Sequence, residues 1–209
     1  ELPGGIQAVD QIVRSGAIAA VGHTGAGYEQ VTMAAQHGAR VLTHACNAMT
    51  PTHHRAPGPM LAAIHAGMCL ELILDGVHLH DGMARTLLEY GADRCILITD
   101  AMAAAGAPDG AYQLGSRTVT VEDRVARLDD GGAIAGSTLT MDRAVARALA
   151  IGEDPIAVAR AASTLPAQLM KWPDVGDIAV SKRADLVGLS GFVAGVAEVA
   201  VVRSGVLQT

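Results

Sequence analysis

The sequence predicts an α/β fold of the (β/α) barrel type, because short apolar strands alternate with helical stretches along the first half of the chain. The strands are continuous apolar runs, which is typical of parallel strands buried on both faces. Each run also ends abruptly in a polar, ionisable segment. Polar residues at the carboxyl ends of successive parallel strands indicate the face on which a barrel carries its active site.

The predicted strands and helices follow one another in a regular order. The strands cover residues 17–21, 39–42, 68–74 and 94–98, and the helices between them cover 25–38, 57–67 and 81–90. An open, doubly wound sheet is the competing architecture. It would normally carry a Gly-rich phosphate-binding turn after its first strand, and none occurs here in the required form.

Residues 107–136 interrupt this alternation. Short alternating runs at 112–114, 117–121 and 125–128 predict small hairpins inserted into a barrel connection. Helices are then predicted over residues 139–150, from Asp154 to about Ser163, and again from Ser163 onward with Pro166 near the first turn. From residue 176 the chain becomes β-like, in particular at 185–189 and 196–202, and this tail should complete a sheet built partly from elsewhere.

Composition narrows the class of protein. Half of the 209 residues are apolar and 17% are charged, which excludes a disordered chain, while 2% aromatic residues require an aliphatic core. The formal net charge of -6, without a Lys/Arg cluster, argues against nucleic-acid and anionic-membrane partners. No apolar run is long enough to cross a bilayer, no export signal is evident, and three widely separated cysteines suit a reducing compartment. The sequence therefore predicts a cytoplasmic protein that acts on small molecules.

Four ionisable residues follow the predicted strands and are candidates for chemistry: His23, His44, His78 and Asp100. Imidazoles are ligands for Zn or Fe, and a hydrolytic metal site keeps about three protein ligands and an open position for water. A carboxylate such as that of Asp100 could take a proton from this water and pass it to a leaving amine. Any one of the histidines, taken alone, is as readily a hydrogen-bonded residue at a strand end.

Six short segments carry a family resemblance by their order and spacing. They are Gly22-His23-Thr24, Thr43-His44-Ala45-Cys46-Asn47-Ala48-Met49, Arg55-Ala56-Pro57-Gly58, Asp75-Gly76-Val77-His78, Thr99-Asp100-Ala101 and Ala135-Gly136-Ser137-Thr138-Leu139-Thr140-Met141. As an ordered set they resemble N-acetylglucosamine-6-phosphate deacetylases of the amidohydrolase superfamily. The segment 176–187 also resembles the return of amidohydrolases to their small β-domain, with Ser181 where a glycine is usual.

The resemblance implies a particular architecture. It implies an amidohydrolase (β/α)8 barrel of the TIM type, incomplete at its N-terminus, over residues 1–173, and a C-terminal segment of a small β-sandwich domain over 174–209. It also implies a glutamate metal ligand in a Glu-Gly-Pro segment that would precede Glu1. Because a partial barrel exposes strand edges, we expect the 209 residues alone to fold poorly or to associate.

The resemblance also implies an activity and a role for each matched residue. The activity is hydrolysis of the acetamide of N-acetylglucosamine 6-phosphate with one or two divalent metal ions, Zn or Fe, in a homodimer. His23 and His44 match the metal ligands, Asp100 the catalytic acid/base, and His78 a catalytic residue that polarises the substrate carbonyl. The remaining matches bind the substrate: Asn47 and Ala48 hold the phosphate, Arg55 reaches it from the neighbouring subunit, and Met141 lines the sugar pocket.

Two alternatives stay open at this stage. One is another amidohydrolase activity, such as that of a cyclic amidase or of a deacetylase for a different amino sugar. The other is an inactive fragment that serves only as a binding or interaction module.

Overall fold

A computed structural model describes residues 1–91, 93–190 and 198–208 of the chain. A helix, α1 (Gly5–Arg14), is followed by the strands and helices β1 (Ala20–Val21), α2 (Tyr28–Gln36), β2 (Val41–Leu42), α3 (Gly58–His65), β3 (Cys69–Ile73), α4 (Asp81–Tyr90) and β4 (Cys95–Ile98). The four strands form one parallel sheet in the order β1-β2-β3-β4, and one helix connects each strand to the next. The predicted alternation of parallel strands and helices is confirmed.

Two differences from the prediction concern the first two strands and the segment before them. β1 and β2 have two residues each, which is shorter than the apolar runs, because only those residues pair with a neighbouring strand. The sequence prediction also missed α1. Its signal was present, since Ile6, Val9 and Ile12 recur every three residues and Val13 extends the same apolar face.

The inserted segment folds as the hairpin prediction describes. Strands β5 (Gly110–Leu114), β6 (Arg117–Glu122) and β7 (Val125–Leu128) form an antiparallel sheet in sequence order. Val119 and Val121 point into a small core of this sheet and are almost fully buried. The next element is a helix, α5 (Met141–Ala150).

The next two predicted helices are continuous, so the predicted break at Ser163 is wrong. Helix α6 (Pro155–Ala159) passes through a π-helical turn (Arg160–Thr164) into α7 (Leu165–Leu169), with right-handed helical backbone at both junctions. Pro166 lacks the N–H group that a regular helix would use, and the widened turn before it accommodates this loss without ending the helix.

The C-terminal strands β8 (Leu186–Ser190), β9 (Glu198–Arg203) and β10 (Val206–Gln208) form an antiparallel sheet in the order β10-β9-β8. Of the predicted strand 196–202, residues 196 and 197 lie outside the described residues. Ser181 has a left-handed backbone with φ of 72°, which explains why glycine is usual at this turn. The division into a barrel and a β-sandwich segment stays a prediction.

The main core is aliphatic, as the composition predicts. Leucine and alanine side chains from the four parallel strands and from α2, α3 and α4 fill it, and fully buried examples are Leu42, Ala62, Ala63, Leu72 and Leu87. Small alanines let the helices approach the sheet closely. No helix in the described part of the chain is both long and apolar enough to span a membrane.

A close approach between two strand ends depends on glycine. The Thr43 N–H donates to the Val21 carbonyl oxygen at 2.8 Å, which holds the ends of β1 and β2 together. A Cβ added to Gly22 would lie 2.8 Å from the Thr43 Cβ, closer than two carbon atoms can pack. Each of these two residues directly precedes a candidate histidine. Gly22 therefore sets the spacing between His23 and His44.

We expect Gly22→Ala to lower the thermal unfolding midpoint of the complete protein, because the new methyl group must push the two strand ends apart at a cost of about 1–3 kcal/mol. Gly25→Ala is the matched control, since a Cβ there meets nothing within 4 Å. Differential scanning calorimetry measures both midpoints. Equal midpoints for the two variants would contradict the close-packing argument.

Candidate active site

Four ionisable residues occupy one position relative to the parallel strands, two residues beyond the last residue of each strand. They are His23, His44, Asp75 and Asp100. β1 and β2 are paired up to their last residues, and so are β3 and β4. His23 therefore lies beside His44, and Asp75 lies beside Asp100. All four residues are at the carboxyl edge of the sheet.

Three of these residues share an unusual backbone conformation. His23, His44 and Asp100 have left-handed φ angles of 43°, 32° and 49°. Such angles are uncommon for residues other than glycine, cost about 1 kcal/mol or more, and concentrate at functional sites. Cys46 and Ala48, in the turn after His44, share the left-handed conformation. Five of the ten left-handed residues other than glycine that the structure describes thus lie in the segments after these strands.

The two histidines lie against each other. Their ring centroids are 4.6 Å apart and the ring planes meet at 76°. His44 is 6% exposed, and its Nδ1 atom has no hydrogen-bond partner among the described residues. A buried polar nitrogen without a partner costs about 1–3 kcal/mol, whereas nitrogen donors held close together suit a divalent metal. The imidazoles of His23 and His44 are therefore suited to bind a divalent metal as two of its ligands.

The described residues do not contain a complete ligand set. They include no group of three or more His, Cys, Asp and Glu side chains arranged to hold a metal ion. Since a structural or catalytic zinc site uses three or four protein ligands, the imidazole pair needs at least one further ligand.

The prediction that His78 lies at a strand end is wrong. Asp75 takes that position, and His78 lies three residues later, in the turn before α4. The His78 Nδ1 atom is 2.6 Å from Asp75 Oδ2, and the side chains are only 7% and 12% exposed. The backbone N–H groups of Val77 and His78 donate to Asp75 Oδ1 at 2.9 and 2.8 Å. The turn therefore wraps around the Asp75 carboxylate.

The Asp75 carboxylate is held in its charged form. Burial alone would raise its pKa, but the hydrogen bonds from His78 and from the Val77 N–H outweigh burial and lower the pKa from 3.8 to about 2. The Ser137 hydroxyl, 3.1 Å from Asp75 Oδ2, donates a fourth hydrogen bond from the loop before α5. Sequence reasoning assigned no role to Asp75, although Asp75 follows its strand just as His23 and His44 do.

Glu71 is a second carboxylate that sequence reasoning missed. It lies on β3, two residues before the strand ends at Ile73. The pKa of Glu71 is raised above its ordinary value, mainly by burial and also by the nearby Asp100 carboxylate, against the opposing effect of the His44 backbone and the Thr43 side chain. Glu71 is thus close to both His44 and Asp100.

The predicted substrate-binding residues lie in two loops. The Asn47 side chain donates to the carbonyl oxygens of His44 and Ala45, both at 3.2 Å, so it stabilises the turn that follows His44. Ala48 is exposed on that turn. Met141 begins α5, where its side chain is half-buried against the core.

Arg55 is exposed in the loop before α3. Its guanidinium contacts the neighbouring His54 ring at 2.7 Å. Within the described part of the chain, no hydrogen bond or ion pair links Arg55 to the two candidate metal ligands. The role of Arg55 at a neighbouring active site stays a prediction.

Comparison with known proteins identifies relatives over most of the chain. The N-acetylglucosamine-6-phosphate deacetylase of Lysinibacillus sphaericus is 45% identical over 151 residues, covering 69% of this chain and 38% of that protein. The N-acetylgalactosamine-6-phosphate deacetylase of Escherichia coli O157:H7 is 37% identical over 192 residues, covering 90% and 51%. A protein of Escherichia coli (strain K12) named "Putative N-acetylgalactosamine-6-phosphate deacetylase" is 40% identical over 149 residues, covering 70% and 89%. No protein-family model matches the chain.

Solved structures of N-acetylglucosamine-6-phosphate deacetylases also superpose on the chain. An aspartate-to-alanine mutant of N-acetyl-D-glucosamine-6-phosphate deacetylase from Mycobacterium smegmatis, in complex with N-acetyl-D-glucosamine-6-phosphate, superposes with a TM-score of 0.92 at 39% identity, covering 99% of this chain and 55% of that one. The Thermotoga maritima N-acetylglucosamine-6-phosphate deacetylase gives 0.89 at 32% identity, covering 97% and 56%.

The parallel sheet with its strand-end histidines and aspartates, together with these superpositions, defines an α/β protein with the amidohydrolase fold. The chain belongs to the N-acetylglucosamine-6-phosphate deacetylase family. It spans between about a third and a half of the length of the first curated relatives that it matches.

The low pKa of Asp75 predicts a pH-dependent contribution to stability. Because the folded-state pKa of about 2 lies below the ordinary value of 3.8, the charged form stabilises the fold above about pH 4 and this contribution is lost as the pH falls through 2. It amounts to roughly 2 kcal/mol at neutral pH. We expect the difference in unfolding free energy between wild type and Asp75→Asn to narrow by about half at pH 3, as measured by urea unfolding. A difference that stays constant from pH 7 to pH 3 would contradict the assignment.

Proposed function

We propose that the complete protein hydrolyses the acetamide of N-acetylglucosamine 6-phosphate to glucosamine 6-phosphate and acetate. The observation that carries the proposal is the left-handed backbone shared by His23, His44 and Asp100 after three strands of one parallel sheet. These are the residue types that metal-assisted amide hydrolysis requires: imidazole ligands and a carboxylate that moves a proton. Relatives that bear the name of this activity match the same segment.

In this proposal the complete protein forms a (β/α)8 barrel, and the C-terminal strands belong to a small β-sandwich domain. His23 and His44 hold a divalent metal, Zn or Fe, as one or two ions, together with a glutamate from elsewhere in the protein. When bound, the metal supplies a Lewis acid that polarises the amide and lowers the pKa of water.

Asp100 carries the proton. Its carboxylate accepts a proton as water attacks the acetamide carbon, and it returns that proton to the sugar nitrogen as the C–N bond breaks. The Asp100 side chain is exposed, and no hydrogen bond within the described residues occupies its carboxylate. Both oxygens are therefore free to exchange a proton with water and amine.

The other residues orient the substrate. His78 faces the substrate carbonyl oxygen with its Nε2 atom, because its Nδ1 is already bonded to Asp75. Asn47 and Ala48 form the turn that holds the phosphate, and Met141 lines the sugar pocket. A phosphate anchor far from the reacting bond lets binding energy align the amide with the catalytic groups.

Arg55 binds the phosphate of a substrate held by the partner subunit of a homodimer. A guanidinium forms two parallel hydrogen bonds with a phosphate, and an exposed loop can present it across an interface. The protein acts in the cytoplasm, in amino-sugar catabolism and cell-wall recycling, where its phosphorylated substrate is found.

A second candidate substrate is N-acetylgalactosamine 6-phosphate. It is favoured by the relative from Escherichia coli K12, 89% of which this chain covers, and by the O157:H7 relative, since both are named for that sugar. The two sugars differ only in the orientation of one hydroxyl group, so acetate release must be compared on both. Near-stoichiometric metal in the purified protein separates either enzyme from an inactive binding module.

We expect Asp100→Asn to lower kcat for acetate release by about 1000-fold or more, because the amide cannot carry the proton. Asp123→Asn is a matched control, since Asp123 has the same φ of 49° but is exposed on the hairpin insertion. The control should retain wild-type kcat. Full activity in Asp100→Asn would remove Asp100 from the mechanism.

We expect Arg55→Ala to lower kcat/KM for the phosphorylated sugar by about 10- to 100-fold, the effect of losing hydrogen bonds between charged groups. The weak reaction of unphosphorylated N-acetylglucosamine should not change, because that substrate lacks the group that Arg55 binds. Arg85→Ala, which removes an exposed arginine from α4, controls for the loss of surface charge. Equal losses on both substrates would contradict phosphate binding by Arg55.

A further inference from the structure

The Asp75 carboxylate does more than close a turn. An ordinary Asx turn needs a single carboxylate oxygen, and Oδ1 fills that role by accepting from the backbone of Val77 and His78. Oδ2 does not take part in this turn and has other hydrogen-bond partners. It accepts from His78 Nδ1 at 2.6 Å and from the Ser137 hydroxyl at 3.1 Å. The two oxygens therefore have distinct partners.

This arrangement fixes the protonation of one nitrogen of the ring. A carboxylate can only accept, so the proton between Asp75 and His78 is on Nδ1. Nε2 is then the nitrogen that remains for a ligand. With both side chains at least 88% buried, little water competes for this bond.

Ser137 connects the pair to the next strand. Its N–H donates to the Asp100 carbonyl oxygen at 2.8 Å, and its hydroxyl accepts from the Leu139 N–H at 3.0 Å while donating to Asp75. One residue thereby links the turn of His78 to the strand end of Asp100. These bonds thus constrain the distance between the His78 and Asp100 side chains.

We propose that Asp75 is a positioning residue of the reaction, which acts through His78: its carboxylate accepts from Nδ1–H and balances the charge of the doubly protonated ring, whose Nε2–H donates to the substrate carbonyl oxygen. The proposal rests on the proposed deacetylation, in which His78 polarises that carbonyl. When Nε2 also carries a proton, the ring is a cation, and the buried Asp75 charge balances it. A charged donor forms a hydrogen bond about twice as strong as a neutral one.

The kinetic test is a double-mutant cycle in the complete protein, with wild type, Asp75→Asn, His78→Ala and the double variant. An asparagine keeps the Oδ1 acceptor but replaces Oδ2 with a donor, so it cannot hold the Nδ1 proton. We expect Asp75→Asn to lower kcat by roughly 10- to 100-fold with KM little changed, and to have no further effect when His78 is absent. Losses that multiply in the double variant would overturn the proposal.

Asp81→Asn is the matched control for damage to the turn. Arg147 bonds to Asp81 at 2.6 Å and lies directly over Gly76, so this ion pair holds the same turn without touching His78. We expect a small decrease in the unfolding midpoint and a kcat within about threefold of wild type, as for other partly exposed ion pairs. A loss of kcat equal to that of Asp75→Asn would reduce Asp75 to a structural role.

A spectroscopic test is independent of turnover. Ring ¹⁵N NMR of histidine-labelled protein, with His78 assigned by comparison with His78→Ala, should show a protonated Nδ1 at neutral pH in the wild type. Nδ1 should lose its proton in Asp75→Asn, where it must accept from the amide. An unprotonated Nδ1 in the wild type overturns the proposal, even if acetate is released. A protonated Nδ1 in a protein that releases no acetate from either sugar would refute the proposed function and leave the pairing intact.

Discussion

The parallel register of β1 to β4 is the constraint on which the site depends. Because the strands are parallel, and β1 and β2 as well as β3 and β4 are paired up to their last residues, the segment after each strand lies at the same edge of the sheet. Side chains separated by more than twenty residues in sequence, such as His23 and His44, then become neighbours without any long-range bond between them. The aliphatic core below the edge supplies the energy that keeps the strands in this register.

That core also offsets the strain at the edge. Left-handed angles at His23, His44 and Asp100 together cost a few kcal/mol, and the buried, unpaired nitrogen of His44 adds to this cost. Folding tolerates them because each directly follows strand residues that are locked by ladder hydrogen bonds and packing. Such locally unfavourable features, supported by a favourable scaffold, are expected at a functional site.

Sequence reasoning identified the strand ends because apolar runs and abrupt polar residues are local signals. It found His23, His44 and Asp100 in this way, and it found α4 with its observed bounds. It failed where the determinant was not local. The Asp75 carboxylate accepts from Ser137, which lies 62 residues further along the chain, and no local pattern reports this contact.

The two strand-end aspartates show how surroundings separate two roles for one residue type. Asp75 and Asp100 follow adjacent strands at the same position, yet the largely buried Asp75 carboxylate accepts four hydrogen bonds, whereas the exposed Asp100 carboxylate accepts none from the described residues. A group that must gain and lose a proton in each cycle cannot be held by four donors, since each would oppose protonation. A group that must stay charged to orient a histidine requires such donors. In the proposed reaction, these hydrogen bonds favour Asp100 as the proton carrier and Asp75 as the fixed anion.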